Sequence, residues 1–197
     1  MKEFLKIVFG LAFPIALQNL INTAVTTADV VMLGKVGETA LSSGSLAGQV
    51  QFVMGLMVFG MTSGASVLTA QYWGKKDIRT IEKVFSMTIC FALTAGMVFF
   101  LAAELFPEQI MHIFSSEQEV IEGGAAYLRI VAFSYPLSAF CMGYLYLMRS
   151  VERAKIGTAV FACSLVANVV MNMIFIFGLL GAPAMGVRGA ALATLLS

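Results

Sequence analysis

The sequence predicts an all-α integral membrane protein, one lobe of six helices spanning residues 1–197, and three observations carry that prediction. Hydrophobic residues make up 59% of the chain and charged residues 12%, against about 45–50% and about 25% in soluble domains. The apolar residues gather into six runs, at about 8–34, 44–73, 84–106, 125–148, 157–181 and 186–197. The first five are each long enough to cross about 30 Å of hydrocarbon at about 1.5 Å per residue. The third observation is where the charges lie. With the N-terminus inside, Lys2, Lys6, Lys75, Lys76, Arg79, Lys83, Arg149, Arg153 and Lys155 are cytoplasmic, and only Lys35, Arg129 and Arg188 are outside. That bias sets the expected orientation in a cell membrane. The net charge of +1 carries no signal for a nucleic-acid partner.

The first run follows Lys2 and Lys6 but exceeds the roughly 7–15 residues of a signal-peptide core and lacks a small-residue cleavage site, so it reads as a span. It holds the most informative pattern in the chain. Placed at 100° per residue, Gln18, Asn22, Thr26 and Asp29 fall within about 80° of one another, giving an apolar helix one polar face. Pro14 removes a backbone donor from the same helix and can kink it. The second run has small residues at helical spacing. Gly44, Gly48, Gln51, Gly55, Thr62 and Ser66 share a face, and Gly44-x-x-x-Gly48 and Gly60-x-x-x-Gly64 have the spacing of closely packed membrane helices. Tight packing is the first reading of that face, and a cleft wall that includes Gln51 is the second.

Between the third and fourth runs, residues 107–124 read as a short surface helix followed by a turn, where His112 is a surface residue rather than a ligand. Pro136 marks a second site for a kink in the fourth run. The fifth run carries Asn168 and Asn172 at i and i+4, on one helix face. The sixth, Gly186 to Ser197, has only twelve residues, about 18 Å of helix, so a chain cut within a span is expected, with a C-terminal partner half beyond it. Cys90, Cys141 and Cys163 all lie in apolar runs and form no metal-ligand spacing. Buried, inert thiols are the expectation.

Asp29 decides the functional reading. A carboxylate at membrane depth costs about 2.5–3.5 kcal/mol on insertion scales and is normally retained only facing a protein interior or a watery cavity. On the expected topology Asp29 and the Asn168/Asn172 pair share a leaflet, so two amides can face the carboxylate. Amides there can lend carbonyl oxygens to a small cation or donate to the charged carboxylate. Without the acid, ordinary interhelical hydrogen bonding, worth about 0.6 kcal/mol on average, would be preferred.

Four stretches then resemble one family. Phe13-Pro14-Ile15-Ala16 followed by Ala28-Asp29-Val30-Val31-Met32-Leu33-Gly34 is similar to the first helix of the multidrug and toxic compound extrusion (MATE) family. Gly64 through Ala70-Gln71-Tyr72-Trp73-Gly74, Tyr127-Leu128-Arg129-Ile130, and Gly181 through Gly186-Val187-Arg188-Gly189-Ala190-Ala191-Leu192-Ala193-Thr194 agree with it. The resemblance reaches the first of the family's two six-helix halves. It implies a twelve-helix, two-lobed antiporter with alternating access that exports organic cations and other amphipathic drugs in exchange for H⁺ or Na⁺, with no other cofactor. It implies that Asp29 is the coupling acid, that Asn168 lies beside it and that Thr194 joins the same site. Asn172 stands where many members carry an aspartate, which leaves one carboxylate where a two-carboxylate site would have two.

The expected mechanism is that Asp29 alternates between protonated or cation-bound and free forms as the cleft opens to each side, with Gln18, Asn22 and Thr26 extending a polar track. Phe and Met residues suit bulky amphipathic substrates, and equally suit contact with membrane lipids. Three alternatives differ in what they require. A lipid-linked polysaccharide flippase needs a basic cleft for a diphosphate, whereas the intramembrane charge here is acidic. An enzyme needs a convergent His, Ser or metal-ligand set at membrane depth, and the single His lies in a connection. A non-transporting assembly subunit needs six helices that pair with a copy of themselves or with another half.

Overall fold

The structure, a computed structural model, describes residues 2–181 and 183–197. Among them every regular element is helical. Helix α1 (Lys2–Val36) runs unbroken through Pro14. Only Gly37 separates it from α2 (Glu38–Gly74), so the connection expected between residues 34 and 44 shrinks to one residue. The reason is local: Gly37 has φ 152°, a conformation open almost only to glycine, and it reverses the chain without further linker.

Along α2 the buried positions Ala47, Val50, Met54, Val58, Thr62, Ala65 and Thr69 recur at three- and four-residue intervals, and the opposite face exposes Phe52, Leu56 and Phe59. In an aqueous protein that outer face would be polar. An outer face as greasy as the core is what a lipid-facing helix requires. Helix α3 (Ile78–Leu105) is followed by the short amphipathic α4 (Pro107–Phe114), which buries Met111 and exposes Ile113.

The fourth run is two helices. Helix α5 (Gln118–Val131) passes through a 3₁₀ turn at Ala132–Ser134 into α6 (Tyr135–Ser150), with Pro136 in the first turn of α6. A proline is tolerated there because a first-turn N–H has no intrahelical acceptor. The Ser134 hydroxyl donates to the Val131 carbonyl at 2.7 Å, giving that carbonyl a partner at the break. Helix α7 (Ala154–Phe177) stops at Gly178, whose φ of 74° is left-handed, four residues before the expected end of the fifth run. Helix α8 (Val187–Leu196) closes the order.

Helix α1 packs on α7 and α2, α2 on α3, α5 and α6, and α8 on α5 and α7. The core between them contains Leu33, Met54, Met111, Ile121, Leu128, Tyr135 and Ile176. Among the described residues four helical stretches, Glu38–Gly74, Ile78–Leu105, Gln118–Ser150 and Lys155–Phe177, are long and apolar enough to cross a membrane.

Two sequence expectations need correction. Cys90, Cys141 and Cys163 are exposed, not buried: in a membrane bundle a residue in an apolar run need not face inward, because lipid accepts apolar surface. The Gly60-x-x-x-Gly64 pair is also open, with nothing within 4 Å of a Cβ at either position. Tight glycines lie elsewhere. A Cβ on Gly96 of α3 would lie 2.8 Å from the Pro136 Cα and 2.9 Å from the Tyr135 carbonyl oxygen, so α3 and α6 meet backbone to backbone.

Gly96→Val should therefore cost about 1–3 kcal/mol through overpacking, read as a lower unfolding midpoint of the full-length protein in detergent. At the other end of α3, Asp77 accepts from the Thr80 hydroxyl at 2.7 Å and from the Thr80 amide at 3.1 Å. These hydrogen bonds, the hydroxyl foremost, hold the Asp77 carboxyl below the usual carboxylate range. The cap is thus in place at neutral pH and is lost as pH falls through the lowered value. Asp77→Ala should speed hydrogen exchange of the Thr80 amide at pH 7, and the difference from the parent should vanish in strong acid.

Candidate functional site

Asp29 lies seven residues before the end of α1. Its carboxylate Oδ1 accepts a hydrogen bond from the Asn172 Nδ2 of α7. The same Asn172 nitrogen donates to the Asn168 Oδ1 at 2.9 Å, which sets the Asn168 amide beside the Asp29 carboxylate. Asn168 and Asn172 are 1% and 0% exposed. One turn apart on α7, they present a joined pair of amides to a single acid on the neighbouring helix.

Three further helices close on this group. The Tyr127 side chain of α5, buried in the core, lies beside Thr194 of α8 and near Asp29. Gly189 lets α8 come in, since a Cβ there would sit 2.4 Å from the Phe175 carbonyl oxygen of α7. Tyr135 is fully buried at the start of α6, on the other side of the 3₁₀ turn from Tyr127. Its hydroxyl and the Asn172 Oδ1 are buried without a hydrogen-bond partner.

The cluster therefore gathers a carboxylate, two amides, a threonine and two phenols from five helices. Oxygen donors of this kind suit a hard cation or a proton rather than a soft metal. Among the described residues no group of three or more His, Cys, Asp or Glu stands ready to hold a metal ion.

The other residues singled out in the sequence are placed differently. Asn22 and Thr26 are exposed, and the Thr26 hydroxyl donates back to the Asn22 carbonyl at 3.2 Å. Gln51 is half-buried on α2. Gln18 does not line open space: it is 1% exposed and bonded across to α7 and α6. The polar stripe is real but splits by angle, with Gln18 and Asp29 turned to α7 and the two residues between them rotated outward. Tyr127 and Tyr135 were not foreseen as site residues. The available signal is that a buried tyrosine needs a partner for its hydroxyl.

A family model described as MatE matches residues 14–174. The chain belongs to the MATE family. Among its relatives, the protein named "Probable multidrug resistance protein NorM" in Mesorhizobium japonicum is 28% identical over 205 residues, covering 100% of this chain and 42% of the relative. "Probable multidrug resistance protein YoeA" of Bacillus subtilis is 25% identical over 185 residues, covering 93% of this chain and 40% of the relative. Similar solved structures include a MOP superfamily transporter from Pyrococcus furiosus, with TM-score 0.84 and 22% identity over 97% of this chain and 41% of that one. Another is a MATE transporter in the straight conformation, with TM-score 0.87 and 21% identity over 97% of this chain and 42% of that one. The chain thus spans about two fifths of the length of the relatives it matches, and its bundle is one half of the MATE fold. MATE proteins are multi-pass membrane transporters, not enzymes.

Replacing Asn172 tests the clamp on Asp29. Asn172→Leu leaves the carboxylate short of a donor and should destabilise the full-length protein by about 1–3 kcal/mol, read as a lower melting midpoint. Asn172→Asp sets a second carboxylate against the first, so its melting midpoint should rise on acidification or on adding Na⁺ more steeply than the parent's.

Proposed function

We propose that the chain forms the N-terminal half of a secondary antiporter that exports amphipathic or cationic drugs in exchange for H⁺ or Na⁺. Asp29 is the coupling carboxylate in this reading. The observation that carries it is the Asp29 carboxylate bonded to the buried Asn172 amide, itself bonded to Asn168, within a bundle of apolar helices. The names of the relatives support the drug class, and the length they have beyond this chain supports a second half that completes the cleft. The positive-inside bias supports a cytoplasmic N-terminus in the cell membrane.

Chemically, the ionised Asp29 accepts amide N–H groups. On protonation it becomes a donor, and the unpartnered Asn172 Oδ1 is an acceptor within the same cluster. A Na⁺ ion would use the same oxygens, with Asp29 supplying the charge and Asn168, Asn172, Thr194 and Tyr127 the neutral ligands. Either cation neutralises a group that is costly to leave charged at membrane depth. Binding and release at Asp29 can thus bias which face of the cleft is open.

The test is drug efflux by the full-length protein with Asp29→Asn. Cation-driven export should be lost, and export persisting at the parental rate would end the proposal. Transport that collapses in Na⁺-free medium at fixed pH identifies Na⁺ as the coupling ion, and unchanged transport there identifies H⁺.

A further inference from the structure

A second polar junction joins α1 and α7, away from Asp29. Gln18 lies eleven residues before Asp29, about 16 Å along the helix axis. Its Nε2 donates to the Thr158 Oγ1 of α7 at 3.0 Å, and that hydroxyl donates to the Pro14 carbonyl of α1 at 3.3 Å. From α6, Arg149 donates to the Gln18 Oε1 through Nε at 3.0 Å and again through Nη2. The guanidinium is seated 4.9 Å above the Tyr146 ring, which packs 5.7 Å from Phe59 of α2. Gly157 leaves room for the amide, since a Cβ there would meet the Gln18 side chain at 2.9 Å.

Helices α1 and α7 therefore run parallel and are joined by side-chain hydrogen bonds at two levels, Gln18 to Thr158 and Asp29 to Asn172. Hydrogen bonds between helices in lipid are individually modest, but they join fixed positions, so two levels of them define one register. A slip of one residue would move α1 by about 1.5 Å and turn its side chains by about 100°, enough to take Asp29 off its amides. The lower junction also secures α1 at Pro14, where the missing N–H weakens the helix's own ladder. Arginine suits the task because two arms of its fork reach one amide oxygen, which a single ammonium cannot reproduce.

We infer that Arg149 is a positioning residue for the Asp29 site: through Gln18 and Thr158 it fixes the register of α1 on α7, and so the fit of Asp29 to Asn168 and Asn172. The inference rests on the reading of Asp29 as the coupling group. It is tested in the full-length protein by the concentration of Na⁺ or H⁺ that gives half-maximal thermal stabilisation and half-maximal drug efflux.

Gln18→Leu, Thr158→Val and Arg149→Gln should each raise that concentration by about threefold to tenfold, the range of coupling seen for residues outside a binding site. Arg149→Lys should fall between Arg149→Gln and the parent. Thr158→Val keeps the side-chain shape and carries the test where a more disruptive variant does not fold. Asp29→Asn alone should abolish the cation dependence, and adding Thr158→Val should then lower the melting midpoint without restoring any dependence. Variants that melt earlier but keep the parental cation midpoint would overturn the inference and leave the Asp29 reading intact. Cation dependence persisting in Asp29→Asn overturns the Asp29 reading, and the inference with it.

Discussion

The hydrogen bonds from α7 to Asp29 are the interaction on which the rest of the bundle depends. Inserting such a carboxylate costs about 2.5–3.5 kcal/mol, and a hydrogen bond to a charged group returns about 1.5–3 kcal/mol. The Asn172 amide brings that balance close to even, and Asn168, which accepts from Asn172, holds it in place. This explains why Asn168 and Asn172 come as an i, i+4 pair, why both are buried, and why α1 must lie against α7 rather than against another helix of similar greasiness. Greasiness alone would not select the partner, since lipid satisfies apolar side chains as well as a neighbouring helix does.

The remaining helices are placed by the same need. Helix α8 reaches the site only because Gly189 admits the Phe175 carbonyl against its backbone, which brings Thr194 to Tyr127. The break between α5 and α6 puts Tyr127 and Tyr135 on either side of a 3₁₀ turn, so one membrane crossing delivers two phenols to one polar interior. Packing and polarity are thus solved together: where the backbones come closest, the few polar side chains meet.

Much of this was legible in the sequence, for a physical reason. In an apolar run a polar residue stands out, so Asp29, Asn168 and Asn172 could be paired from spacing and topology before any coordinate was known. The helices themselves follow from run length. What was not legible depended on neighbours distant in the chain. Gln18 shares the polar stripe with Asn22 and Thr26, and only the position of α7 shows that Gln18 is bonded while those two face outward. Arg149 reads as a cytoplasmic charge until Tyr146 and Gln18 are seen to hold it. Glycine spacing misled in the same way, since Gly60 and Gly64 have an interface pattern and no neighbour among the described residues, whereas Gly96 meets the α6 backbone without a motif to announce it. The cysteines misled because inward burial is a rule of water, not of lipid.

The contact of Gly96 with the Pro136 backbone has one more consequence. Side chains can change rotamer to let helices slide, but two backbones in contact have nothing to rearrange. Helices α3 and α6 are therefore locked together and serve as the keel of the lobe. The exposed residues Leu93 on α3 and Leu137 on α6 are natural anchor points for spectroscopic distance labels. They form a fixed ruler against which rotation of the whole lobe can be separated from bending inside it.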